Sequence, residues 1–146
     1  MTKPNWSELV KGAVVPANPP GIWTNVYDYV AAPRRLRFRA TGQWDIAGTP
    51  CGPDGNQGSA PGGLLAGALS GSLIGKIGGG TADSSPPAAG STAPAGSPFF
   101  FPVGSFCTID LPTGVSGAIF LTINDSAGGF AKHSGSITVD IDESWS

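Results

Sequence analysis

The chain's one histidine, His133, closes a polar stretch that Asn124, Asp125 and Ser126 open, with Lys132 beside it. An imidazole near a carboxylate raises the prospect of a triad. Yet no serine stands in a G-x-S-x-G elbow. The glycine-rich run Gly75–Thr81 lacks the lysine position of a phosphate loop and reads as a strand ending in a turn. Asp45, Asp54 and Asp125 could pair as glycosidase carboxylates, but sequence alone pairs none of them. Zinc needs more histidine or cysteine than this chain holds, and Cys51 and Cys107 match no metal spacing. What remains is oxygen chemistry in loops. Asp45, Asp54, Asn56 and Gln57 form one group; Asn124, Asp125, Ser126 and His133 form another. Calcium wants carboxylate and carbonyl oxygens of this kind. Sugars want carboxylates and amides for their hydroxyls and an aromatic face for their C–H surface. Trp44 and Phe130 could supply that face, and Trp44 fits core packing equally well.

Such loops need a frame. Glycine (23) and proline (14) make up a quarter of the 146 residues, which disfavours long helices and suits short strands joined by turns. "RRLRFRA" alternates, with Leu36, Phe38 and Ala40 on one side and Arg35, Arg37 and Arg39 on the other. In "AIFLTIND" Ile119, Leu121 and Ile123 point inward, and in "SITVDI" Ile137, Val139 and Ile141 do the same. Thr138, Asp140 and Asp142 then form an acidic face that can meet the arginine row, so that row reads as a solvated, paired strand face ahead of an anion-binding stripe. "ELVKGAVV", "GIWTNVYDYV", "GSLIGKIG" and "FFFPVGSFCTIDL" supply further strands; residues 42–63 read as turn chemistry throughout. About eight short strands make an antiparallel sandwich or jelly roll. Residues 81–98 form a low-complexity surface insertion in one domain spanning 1–146. The two cysteines read as reduced core thiols, with a disulfide left open.

A net charge of −2 offers no field to attract nucleic acid or an anionic membrane. No apolar run approaches the roughly 20 residues of a membrane span. The N-terminal residues lack the apolar core of a signal peptide, so the expected location is the cytoplasm, or outside the cell by a route independent of the Sec signal.

Several motifs together resemble the small bacterial galactophilic, calcium-dependent lectins of the lectin I type. "GSLIGKIG" is similar to their G-A-L-x-x-K-I-G strand. Val115–Asp125 is similar to V-x-G-A-I-x-L-x-x-N-D, and "KHSGSITVDI" to N-N-S-G-S-x-x-V-x-I. Trp6 and the Gly52–Gly55 turn fall in the same order. The resemblance implies a jelly-roll, galactose-binding-domain-like β-sandwich, a homo-oligomer, and a galactose-type glycan held at a bound calcium. It implies that Asp125 contacts metal and sugar, that Lys132 and His133 stand where two calcium-binding asparagines are expected, that Gly129 offers a carbonyl, and that Asp45 lies near a further carbonyl ligand. Ser126 belongs to the same loop, and Ser59 and Gly62 lie near the sugar-reading positions. A protonated lysine cannot ligate calcium, and histidine suits a hard cation poorly. The expected cofactor is therefore calcium bound weakly or not at all, with the Lys132 ammonium paired to Asp125 in its place. The sequence thus points to a non-enzymatic, lectin-like, carbohydrate-binding protein with altered or lost calcium dependence. A structural self-assembly module that lost the sugar is the alternative, favoured if Phe99–Phe101 are exposed; a hydrolase comes last.

Overall fold

The computed structural model describes residues 6–19, 21–46, 48–55, 64–65, 68–79, 98–125 and 132–145. Most of the insertion expected at 81–98 lies outside them. The described residues form nine strands: β1 (Ser7–Pro16), β2 (Thr24–Ala31), β3 (Arg34–Ile46), β4 (Thr49–Cys51), β5 (Leu73–Ile77), β6 (Phe99–Pro102), β7 (Phe106–Asp110), β8 (Ser116–Ile123) and β9 (His133–Trp145). One sheet runs β1-β9-β3-β4, with β7 also on β3; the other runs β2-β8-β5-β6. Every pairing is antiparallel. The architecture is the expected all-β sandwich of jelly-roll type.

The core lies between the sheets and follows the period of two. Leu36, Phe38, Ile137, Val139 and Ile141 come from the first sheet, and Leu73, Ile77, Ile119, Leu121 and Ile123 from the second; all are at most 1 % exposed. Phe38 meets Phe101 across the sandwich at a centroid distance of 5.5 Å. That ring needs Gly75 beneath it, because a β-carbon there would lie 2.6 Å from its Cζ. Phe99 and Phe100 are half-buried, stacking on Phe101 and tilting against Trp23. The exposed phenylalanine cluster that would have favoured a self-assembly module is absent among the described residues. On the other face of β5, Lys76 is fully buried with its ammonium 4.9 Å from the Trp23 ring and 5.0 Å from Phe120.

Two expectations need correction. Residues 42–63 are not turns throughout. β3 continues to Ile46 because β9 stays in register with it from Arg34↔Trp145 to Ile46↔His133, so tertiary pairing overrides the local turn chemistry. The stretch 99–111 is not one strand. It crosses from one sheet to the other at residues 103–105, where the amides of Val103 and Gly104 both donate to the Leu73 carbonyl at 3.0 Å.

The arginine row is paired, as its alternation implies. Arg37 donates twice to Asp142, at 2.9 and 3.1 Å, and Arg39 donates to the same oxygen at 3.1 Å. Arg34 pairs with Glu143, and Arg35 with Asp110 at 2.6 Å. The Arg35 guanidinium, by hydrogen bond and charge, holds the Asp110 carboxyl below the usual carboxylate range. Cys51 stands opposite Trp44 and Cys107 opposite Phe38, both along β3. At the rise of a strand this separates them by about 20 Å, too far for a disulfide. Both are free thiols, and burial pushes both pKa values up.

Candidate functional site

β8 ends at Ile123 and delivers Asn124 and Asp125 to one end of the sandwich. Asn124 is fully buried. Its amide oxygen accepts from the Leu65 N–H at 2.9 Å, and its amide nitrogen donates to the carbonyls of Leu65, Ala68 and Leu69 at 2.9, 3.1 and 3.2 Å. Its backbone also bridges Ser72 and Gly71 at 2.8 Å each. By its sequence neighbours Asn124 is expected among oxygens open to a ligand. The structure makes it the scaffold that folds the described parts of 64–72 onto the end of β8, since a buried amide must satisfy its donors and acceptor internally.

Asp125 faces His133 across the loop, with Nε2 2.8 Å from Oδ2. The other ring nitrogen, Nδ1, lies 2.9 Å from the Ala17 carbonyl oxygen, beyond the end of β1. A carbonyl only accepts, so Nδ1 carries a hydrogen. Nε2 then faces a carboxylate oxygen, and a proton must lie between them for the contact to be a hydrogen bond. The imidazole therefore pins the β8 end, the β1 end and the β9 start together. Its side chain is 0 % exposed, while the Asp125 side chain stays 29 % exposed. His133 turns inward because it shares the phase of Ile137, Val139 and Ile141 along β9.

Lys132 precedes the strand, is exposed, and forms no ion pair among the described residues. The partner of Asp125 expected from Lys132 is supplied by His133 instead. Asp45 lies one strand over, opposite Ser134. Its carboxylate accepts from the Gly48 amide at 2.6 Å and so caps the β3–β4 turn. Trp44 is 1 % exposed, with its indole N–H donating to the Gly71 carbonyl at 2.8 Å, and so belongs to the core rather than to a sugar-facing surface. Asp54 is carried away from Asp45 to the β6–β7 crossing, where Ser105 N and Oγ donate to its two oxygens at 2.8 and 2.9 Å. Ser59, Gly62, Ser126, Gly129, Phe130, Asn56 and Gln57 lie outside the described residues.

Calcium takes six to eight oxygen ligands. Around this loop the described side chains present Asp125, already bonded to an imidazole, and Asp45, already capping a turn. Among the described residues no three His, Cys, Asp or Glu side chains gather to hold a metal.

No protein-family model matches the chain, and no curated protein matches it. Among solved structures, the chain is similar to one described as "EclA N-terminal domain; PllA-like lectin", with a TM-score of 0.58 and 17% sequence identity. The match covers 92% of this chain and 97% of that one. At that identity the likeness establishes the fold alone, a two-sheet β-sandwich shared over nearly the whole length.

Proposed function

We propose that this protein is a lectin-like carbohydrate-binding protein whose sugar site lies at the sandwich end that carries Asp125. The observation that supports this best is the Asp125–His133 pair. It holds a partly exposed carboxylate fixed where the lectin resemblance expects sugar hydroxyls to be read. The fold likeness to a PllA-like lectin over 92% of the chain agrees with that reading. A carboxylate oriented by a buried imidazole is already organised before the ligand arrives, which lowers the ordering cost of binding.

The ligand class is a neutral glycan, of galactose type or a related sugar, bound without calcium. The imidazole takes over from the metal the task of holding the carboxylate in place. Ser126, Gly129, Lys132 and Ser59 remain candidate sugar contacts around the same loop, and the working form is a homo-oligomer. The protein acts as a binding module rather than an enzyme. Both ring nitrogens of its one histidine are engaged, at 2.9 and 2.8 Å, so neither is placed to activate a nucleophile.

A glycan array read in calcium and again in chelator tests this. Binding to a set of neutral glycans that survives chelation and is lost in Asp125→Ala is the expected result. An array with no bound glycan would overturn the carbohydrate reading. Binding abolished by chelation would return a metal to the site.

A further inference from the structure

An open groove of about 420 Å³ runs between the 68–72 turn and the β6–β7 crossing. That volume falls within the range of small-molecule sites. Its lining includes Asp54, Leu69, Ser72, Pro102, Phe106 and Cys107. Leu69 and Phe106 are 44% and 60% exposed, and only Val14 and Tyr29 match them among the described large apolar residues. The groove therefore joins exposed apolar surface to a single carboxylate.

That carboxylate is built in. Ser105 N and Oγ fix its two oxygens at 2.8 and 2.9 Å, and a β-carbon at Gly104 would lie 2.8 Å from Oδ1. The close approach holds the turn to glycine, which adopts φ +68° there. Both donors are neutral, and Asp54 forms no ion pair among the described residues. Each oxygen retains accepting capacity beyond its bond to Ser105. An anionic ligand would be repelled. A purely apolar one would desolvate the carboxylate without replacing its hydrogen bonds. A pyranose answers both halves of the surface, with a C–H face for Phe106 and Leu69 and vicinal hydroxyls for a bidentate acceptor.

We propose that this groove is a second saccharide subsite, in which Asp54 accepts from the hydroxyls of one neutral pyranose and Phe106 packs against its C–H face. The ligand class rests on the carbohydrate reading above; the place rests on the groove alone. The 68–72 turn separates the two sites. The Leu69 carbonyl is bonded to Asn124 on the loop side, while Leu69 itself lines the groove.

The test is a two-dimensional amide NMR titration of the ¹⁵N-labelled full chain with methyl β-galactoside, methyl α-mannoside and methyl N-acetyl-β-glucosaminide. The Ser105 amide donates to Asp54 Oδ1 and so reports directly on that carboxylate. Saturable shifts at Ser105 and Gly104 with at least one glycoside are expected. Phe106→Ala and Asp54→Asn should each weaken them about tenfold, in line with the loss of one ring contact or one charge-assisted pair. Asp125→Ala should leave them unchanged. Phe106 is exposed and Asn keeps an acceptor for the Ser105 amide, so both variants retain the fold. Shifts confined to residues 124–125 and 133–135 would uphold the loop site and overturn this one. Shifts confined to the groove would do the reverse, and no shift anywhere would overturn both. Shifts at Ser105 caused only by lysine methyl ester would make the groove a cation site and overturn the proposal. A change in sedimentation of Phe106→Ala without any glycoside shift would make it a subunit contact, with the same consequence.

Discussion

His133→Ala removes the pin between the ends of β1, β8 and β9, and its cost can be worked from the contacts. The Ala17 carbonyl loses a buried donor at 2.9 Å, and an unsatisfied buried acceptor costs about 1–3 kcal/mol. The bond to Asp125 at 2.8 Å is worth about 1–3 kcal/mol when dry. The Asp125 side chain is 29 % exposed, so water recovers part of that. The missing ring leaves a void in a fully buried place, which adds a smaller loss. The sum is about 3–5 kcal/mol, equivalent to a fall in Tm of about 10 °C for a chain of this size. Denaturant unfolding followed by tryptophan fluorescence measures it. Lys132→Ala, one residue away and exposed, is the control and should stay within about 0.5 kcal/mol of the wild type. A double-mutant cycle with Asp125→Ala should show a coupling energy above about 1 kcal/mol. If His133→Ala costs less than about 1 kcal/mol, or the cycle shows no coupling, the pin is not a structural element and the argument for a held carboxylate fails.

Other outcomes follow from the same contacts. Gly75→Ala should cost about 1–3 kcal/mol, because the added carbon meets the Phe101 ring at 2.6 Å; Phe101→Leu in the same chain should recover part of that in thermal melts. Millimolar calcium should move the melting midpoint by less than about 1 °C, since a ligand stabilises only in proportion to how far it exceeds its Kd; a clear upward shift would show that the loop holds the ion. Thiol labelling at pH 8 should modify the half-buried Cys107 before the buried Cys51, and both more slowly than a free thiol, because burial pushes their pKa values up. By linkage, each raised thiol keeps its contribution below the ordinary thiol pKa and loses it as pH rises toward the folded value. Stability should therefore decline through the alkaline range, and less steeply in Cys51→Ala. Equal labelling rates for the two thiols would contradict the placement of β4.

Periodicity alone was enough for the inward faces of β3, β8 and β9. A period of two places Leu36, Phe38, Ile119, Leu121, Ile137 and Val139 on their faces whatever the strands pair with, and all are buried. The same alternation made Arg37, Arg39 and Asp142 readable as partners, because opposite charges on adjacent strands meet at short range, whereas Arg35 pairs with Asp110 on β7 and Asp140 accepts from the Gly12 amide. The resemblance of the last third to a lectin located the loop that joins β8 to β9. Tertiary structure decided the rest. Which of Lys132 and His133 would face Asp125 depended on the strand phase of β9 and on the Ala17 carbonyl, supplied from more than a hundred residues away. Trp44, Asp45 and Asp54 sit in one turn-rich stretch of sequence. Yet the pairing of β3 with β9 sends Trp44 into the core and Asp45 to a turn, while Asp54 goes to the β6–β7 crossing. A residue's local sequence fixes its chemistry and its face. Where that chemistry points is set by long-range register, which is decided only when the core closes.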